Sequence, residues 1–497
     1  MPTVLNLVPT RLLLLALPVM ALLALPMRTV SLAAAERPNI LWLIAEDFGP
    51  DLSCYGTPEV RTPNIDSLAR EGVRFTHAYT TTPVCSTSRS SFMTGMYATT
   101  IGAHNHRSHR DGQHPLPDGV RLMTDWLRDA GYFTANIRQF PAGVDLKGTG
   151  KTDWNFSHAR RPFDSDRWKP LSSHQPFYAQ VNFPETHRGK EWDQAHEHVE
   201  TRADPAKVVF PPYYPDHPIT RADYAQYLNA AMALDHKVGV VLEQLKSAGL
   251  WDTTIVVFMA DHGQAMVRGK QWPYESGLHI PLIIRWPQGI RAPAEFLPGT
   301  TSEELVMSID LTATTLDWAG VAPPPRMQGR VFWGERAPPD RKFVFGGRDR
   351  GDETVDRVRT VRDERYRYLK NFYPDRPFTQ LNRYKEVSYP VLRLMHRLHD
   401  SGELARTNPH AERLMAPTRP DEELYDLQND PYELTNLASD PAYEETLQRL
   451  RGELDRWLVE SDDQGRFPED PAIIAEQNRQ MSKAYDERLR KLRAEER

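Results

Sequence analysis

Four side chains in this sequence share a chemical task if the fold brings them together. Glu46 and Asp47 close the run NILWLIAED (residues 39 to 47), and Asp261 and His262 lie at the end of TTIVVFMADHG (residues 253 to 263). Three carboxylates packed together repel and resist ionisation, so a hard divalent cation is their natural neutraliser, and calcium accepts such an oxygen-rich shell. Alternatively, each acidic pair caps its own following loop or helix, a common use of Asp after a strand. A second feature is VCSTSRSSFMTG (residues 84 to 95), where Cys85 is followed by hydroxyl residues and Arg89. Cys85 is either a small apolar side chain at a helix start or the centre of a catalytic site.

Both acidic runs are short and almost continuously apolar, the pattern of strands buried on both faces of a parallel sheet. Ligands collect beyond the carboxyl ends of such strands, so residues distant in sequence can converge there. Further strands are expected at residues 177 to 183 and 279 to 286. Helices are expected at 62 to 72, with Pro63 in the first turn and Gly72 as the stop, and at 122 to 131. The longest is expected over 222 to 249, where Tyr224, Tyr227, Leu228, Ala231, Leu234, Val238, Val241, Leu242 and Leu245 recur at helical spacing. Residues 160 to 176 and the segment around FPPYYPDHP read as proline-rich loops. After about residue 340, KFVFGG and RYRYLKNF alternate like half-exposed antiparallel strands, and residues 445 to 460 read as an amphipathic helix. The final EQNRQMSKAYDERLRKLRAEER reads as a charged, solvated helix or tail. The expected class is α/β: a large mixed, mainly parallel sheet flanked by helices in residues 36 to 339, then a smaller α+β domain in 340 to 497.

Arg11, the apolar run of residues 12 to 25 and SLAAAE (31 to 36) have the order of a secretory signal, with cleavage expected after Ala35. The run contains Pro18 and falls short of the ~20 apolar residues that span a bilayer, so no membrane span is expected after cleavage. Export to the periplasm or medium follows. With Cys54 and Cys85 the sole cysteines, at most one bridge can form and the fold must rest on its core. A net charge of -6, from 61 basic and 67 acidic residues, argues against a nucleic-acid binder running on a global positive field.

The ordered blocks NILWLIAEDFG, TPNIDSLAREGVRFTHAY, VCSTSRSSFMTG, TIVVFMADHG and GKQWPYESGLHIPLIIRWP resemble those of the type I sulfatases of the alkaline phosphatase superfamily. The block ELYDLQNDPYELTNLASDP, and the long helix followed by GLWDTTIVVF, are similar to the heparan N-sulfatase branch. The resemblance implies an alkaline-phosphatase-like fold. It also implies that a formylglycine-generating enzyme oxidises Cys85 to formylglycine, whose hydrate attacks the substrate sulfur with one hydroxyl and expels sulfate with the other. It carries over a calcium site at Glu46, Asp47, Asp261, His262 and the modified Cys85. Arg89 would support the carboxylates and the formylglycine, Lys151 and Lys270 would meet the sulfate, and His187 would bind sulfate and protonate the leaving group. The anion would gain from the amides of a helix begun by SSFMTG.

Three positions depart from the family pattern. Thr87 stands where the modification motif has proline, which bears on how efficiently Cys85 is converted. Glu46 replaces the first of two aspartates, and Asp153 replaces the histidine two residues after the glycine-block lysine. The stretch IGAHNHRSHRDGQH (residues 101 to 114) offers His104, Arg107 and Arg110 as a substitute set for an acidic sugar, with a solvated loop or a zinc site as alternatives. The expected activity is hydrolysis of sulfate esters or N-sulfates of a sulfated carbohydrate. The alternatives are a phosphodiesterase or phosphonate hydrolase of the same superfamily, and a non-catalytic binder of sulfated glycans.

Overall fold

The computed structural model describes residues 1–3, 37–109, 112–334 and 336–495. The leader and Arg110 lie outside the described residues. An eight-stranded sheet runs in the order Ser165–Arg167, Phe133–Gln139, Phe177–Phe183, Asn39–Ala45, Thr254–Ala260, Leu282–Arg285, Val73–Phe75, Thr300–Ser302. All strands point one way except Leu282–Arg285, which pairs antiparallel with both neighbours. The sheet is therefore mixed and mainly parallel, as expected. Its three central strands are buried along their whole length, which is why Asn39–Ala45 and Thr254–Ala260 read as near-continuous apolar runs, while Phe177–Phe183 also carries Gln180 and Asn182.

Register fixes where the chemistry goes. Ala45 pairs with Phe183 on one side and Ala260 on the other. The three strands end level, and Glu46–Asp47, Glu185–His187 and Asp261–His262 emerge at one sheet edge. The Phe133–Gln139 strand, whose FTANIRQ alternates polar and apolar residues, was not among the expected strands. The expected loop at 160 to 176 contains the edge strand Ser165–Arg167, joined to it by the Ala135–Ser165 pair.

The long helix spans Pro218–Ser247, one turn earlier than its apolar stripe shows, because Pro218 suits the first turn and His217 Nδ1 accepts the amide of Ile219 at 3.1 Å. Its stripe packs on the sheet and also steadies the loop after the first strand. Tyr227 Oη accepts from the amide of Gly49 at 3.1 Å and donates to Asp51 at 2.7 Å. The helix Cys85–Thr94 starts at Cys85 itself rather than at SSFMTG. The hydroxyls of Ser90, Ser91 and Thr94 bond back to carbonyls four residues earlier, at 2.7, 3.0 and 2.7 Å, so a run of helix-indifferent residues stays helical in the core.

The second sheet is antiparallel throughout, in the order Val344–Arg348, Val358–Arg362, Tyr366–Asn371, Glu422–Asp426, and the Glu444–Glu460 helix lays Leu447, Leu450, Leu454 and Trp457 into its core. The C-terminal helix, Pro471–Glu495, is docked rather than solvated: Met481 and Leu489 are buried, and Asp486 pairs with Arg383 at 2.6 Å. Cys54 and Cys85 form no bridge. No helix among the described residues is long and apolar enough to cross a membrane.

Candidate active site

Asp261 follows the Thr254–Ala260 strand and is held from three sides. Its Oδ1 accepts the amides of Asp47 at 2.9 Å and His262 at 3.0 Å, and its Oδ2 takes Arg89 through Nε at 3.0 Å and Nη2 at 2.9 Å. Burial would raise this carboxyl, but Arg89, His262 and Lys151 together outweigh it and hold the group at about 2. Arg89 also donates to Asn182 Oδ1 at 2.6 Å, and Asn182 donates to Asn136 at 3.0 Å. Asn182 is, with Gln180, one of two polar residues inside a buried strand, the signal by which it could have been found. Gly263 completes the turn: a Cβ there would lie 2.3 Å from the Ser276 carbonyl oxygen.

Asp47 sits in the left-handed region at φ 54° and turns its carboxylate inward. One oxygen meets His262 Nε2 at 3.0 Å and Cys85 Sγ at 3.5 Å; the other takes Lys270 Nζ at 2.6 Å. Cys85 Sγ is also 3.4 Å from His262 Nε2. Despite burial, which opposes it, the two carboxylates push the imidazole of His262 up to about 10. Asp47, Cys85, Asp261 and His262 thus bring four ligand atoms within 4.8 Å of one another, the only such group among the described residues. The donor set fits a cation, because the negative potential that protonates His262 would equally favour a metal in place of the proton. Glu46 is not in this group. Its carboxylate pairs with Lys151 at 2.7 Å, since its longer side chain reaches past the centre.

His187 follows the third central strand, and the adjacent Arg188 anchors it by a two-pronged bond to Asp223 at 2.7 Å each. Burial and then Lys270 lower His187 to about 4, so it is neutral in the free enzyme. Arg107, Lys151 and Asp153 line one open cavity of about 520 Å³ with His109, Trp154 and Phe156. Burial opposes the charge on Arg107, but Asp153 and Asp352 more than restore it. His104 lies elsewhere: it is buried, and the charges it feels are those of Asp349, Arg359 and Asp463, so the structure does not bring it to this cavity. The loop carrying these residues is folded. His106 Nδ1 bonds Ser86 Oγ at 2.7 Å, and its backbone amide donates to Arg350 at 2.9 Å. Left-handed backbones at Asp47, Arg107, Asp153, Gln271 and Asp352, with φ of 54, 56, 43, 71 and 52°, gather around the centre, a concentration typical of functional sites. Tyr384, near Lys270, and Tyr485 and Asp352, near Arg107, belong to the same surroundings. Their sequence neighbourhoods carry no motif that announces it.

Residues 38–321 match the family model described as Sulfatase, and residues 263–387 match N-sulphoglucosamine sulphohydrolase, C-terminal. The chain belongs to the sulfatase family. An ulvan-active sulfatase of Formosa agariphila is 32% identical, with 90% of this chain and 79% of that protein covered. The human N-sulphoglucosamine sulphohydrolase is 29% identical, with 87% and 92% covered. A 2-O GAG sulfatase has a similar structure, with a TM-score of 0.61 at 21% identity and 88% and 96% covered. The phosphonate monoester hydrolase of Silicibacter pomeroyi follows at 0.58 and 21%, with 86% and 96% covered. These structural likenesses show the alkaline-phosphatase-like fold. The sequence matches separate the activities: this sulfatase is a sulfuric ester hydrolase, and the phosphonate hydrolase and non-catalytic readings are less supported.

Proposed function

We propose that the chain is an exported, calcium-dependent sulfatase that acts on acidic sulfated oligosaccharides through a formylglycine made from Cys85. The carrying observation is the position of Cys85 Sγ, 3.5 Å from Asp47 and 3.4 Å from His262 at the first residue of a buried helix. A structural thiol has no need of two carboxylates and an imidazole around it. Asp47, Asp261, His262 and the modified Cys85 would hold the ion, with Glu46 joining them when Lys151 turns to substrate. A calcium held by these residues would supply Lewis-acid chemistry, favouring ionisation of a nearby hydroxyl and offsetting negative charge on the substrate.

The remaining work falls to side chains in place. Arg89 fixes Asp261, and Lys270 and Lys151 are the buried cations that can meet sulfate oxygens where negative charge develops. His187, neutral in the free enzyme, gains proton affinity from the bound sulfate and is placed to give a proton to the leaving oxygen or nitrogen. Arg107 and Asp153 meet the sugar. The formylglycine-generating enzyme is the maturation partner, and Thr87 is the position that tests it: its Oγ1 bonds the Val84 carbonyl at 3.0 Å and Thr82 at 2.7 Å. The division near residue 340 separates the catalytic part from the part whose helices wall the site.

Mass spectrometry of the Cys85 peptide from protein made in an exporting host tests this reading. Formylglycine together with loss of turnover in Cys85→Ala is expected. An unmodified cysteine in active protein overturns the mechanism.

A further inference from the structure

The C-terminal helix has one apolar stripe, Met481, Tyr485 and Leu489, at four-residue spacing. Its two ends are buried to 9% and 5% exposure, yet the middle residue is only half-buried. Tyr485 lies beside Tyr384 and within charge reach of Asp352, Arg107 and Lys270. Its ring meets that of Tyr384 at 6.3 Å and 66°, and the ring of Tyr384 stacks on His187 at 6.4 Å and 28°. Lys270 Nζ lies 5.3 Å over Tyr384, whose buried hydroxyl has no hydrogen-bond partner. Burial and Asp352 raise the Tyr485 phenol while Arg107 and Lys270 oppose them, so its charged neighbours are those of the active site.

We propose that the C-terminal helix supplies a saccharide subsite of this enzyme, in which Tyr384 and Tyr485 form an aromatic wall leading outward from His187. Tyr485 takes the sugar residue beyond the sulfated one. A tyrosine ring suits this task because its face covers the apolar side of a sugar while its hydroxyl stays wet. Arg107, within charge reach of Tyr485, accounts for a carboxylate or second sulfate on that outer residue. The helix is held for this purpose from outside its stripe: Arg383 bonds Asp486 at 2.6 Å and Asn478 at 2.9 Å, and Arg493 lies 3.4 Å from Glu386. Unsupported, such a charged helix would be marginal. The proposal rests on the reading of an oligosaccharide substrate given above.

The test compares kcat/KM for a sulfated acidic tetrasaccharide and for an aryl sulfate in the full-length matured enzyme. Tyr485→Ala is expected to lower the tetrasaccharide-to-aryl ratio at least about tenfold, chiefly through KM, and Tyr485→Phe is expected to retain most of it. An unchanged ratio in Tyr485→Ala overturns the subsite. Limited proteolysis reports whether the helix stays docked. If Tyr485→Ala releases it, Tyr485→Leu keeps the stripe apolar, and a ratio preserved in that variant likewise overturns the proposal. Wild-type enzyme that shows no preference for the tetrasaccharide defeats the substrate reading itself, and the subsite falls with it. A wild-type preference that survives loss of the ring defeats only the subsite.

Discussion

Among the described residues, two of the buried charge clusters are built differently. At the sheet edge, Asp47 and Asp261 crowd around Cys85 and His262, with an imidazole forced into its charged form between them. In the second sheet, Arg359 is fully buried and its guanidinium is shared out: Nε and Nη2 each bond Asp463 at 2.9 Å, Nη2 bonds Asp349 at 2.9 Å, and Nη1 bonds the carbonyls of Arg348 and Val358 at 3.0 and 2.9 Å. A Cβ at Gly465 would lie 2.0 Å from Nη2, so the chain gives up a side chain to let the fork close. The second cluster is internally satisfied. The first keeps two buried carboxylates close together with ligand atoms converging on one point, an arrangement that gains from a cation.

The contrast predicts opposite responses to the strongest perturbations. Chelation of the matured enzyme should remove activity by about three orders of magnitude or more, and calcium should restore it while raising the melting temperature. Asp261→Asn should abolish that calcium-dependent shift. Arg359→Ala should leave calcium binding in place but cost about 3–5 kcal/mol of stability, because two buried carboxylates lose their partner. Calorimetry with and without calcium reads both arms. A calcium shift that survives in Asp261→Asn, or an Arg359→Ala protein as stable as wild type, breaks the comparison.

A smaller effect follows from pH. Burial would raise Asp463, but Arg359 outweighs it and holds the carboxyl well below its ordinary value of 3.8. The unfolded chain therefore binds more protons than the native one just below that value, and stability rises with pH there. The contribution is present above about pH 4 and is lost as pH falls toward the folded value. The stability gap between wild type and Arg359→Met, measured by denaturant unfolding, should be widest above pH 4 and narrow below it. A gap independent of pH would mean that Arg359 acts by packing alone.

The strands Asn39–Ala45 and Thr254–Ala260 and their acidic ends were legible in sequence because burial on both faces leaves a nearly unbroken apolar run that stops at the chemistry. Asp47, Cys85, Asp261 and His262 converge as those runs imply. The direction of Leu282–Arg285 was not legible, since an apolar run reads the same in either sense. Glu46 has the right charge in the right place, but one more methylene carries it to Lys151, a distinction that only geometry makes. His104 and Arg107 look alike in the histidine-rich stretch. The backbone turns between them, at Arg107 among other positions, and sends one toward the Arg359 cluster and the other toward the cavity. The C-terminal helix misled most, because a few apolar residues among many charges resemble a solvated tail until the surface that receives them is known.

The smallest effect concerns Arg107, which sharpens the comparison at its boundary. Its charge is supported by Asp153 and Asp352, but its Nε is buried without a hydrogen-bond partner, unlike any guanidinium nitrogen of Arg359. A donor left unpaired in a lined cavity costs free energy that an anionic ligand can return. A sulfate ester carries one charge, which Lys151, Lys270 and His187 can already meet, so Arg107 is surplus unless the substrate carries further acid groups. Arg107→Ala should therefore raise KM for an acidic sulfated oligosaccharide by about three- to tenfold, roughly 1 kcal/mol, with a smaller change for an aryl sulfate. The difference should shrink as salt rises, because partly exposed pairs are screened over a Debye length of ~8 Å at physiological ionic strength. Equal losses on both substrates, insensitive to salt, would place Arg107 in the support of the reacting centre through Asp153 rather than in recognition of the sugar.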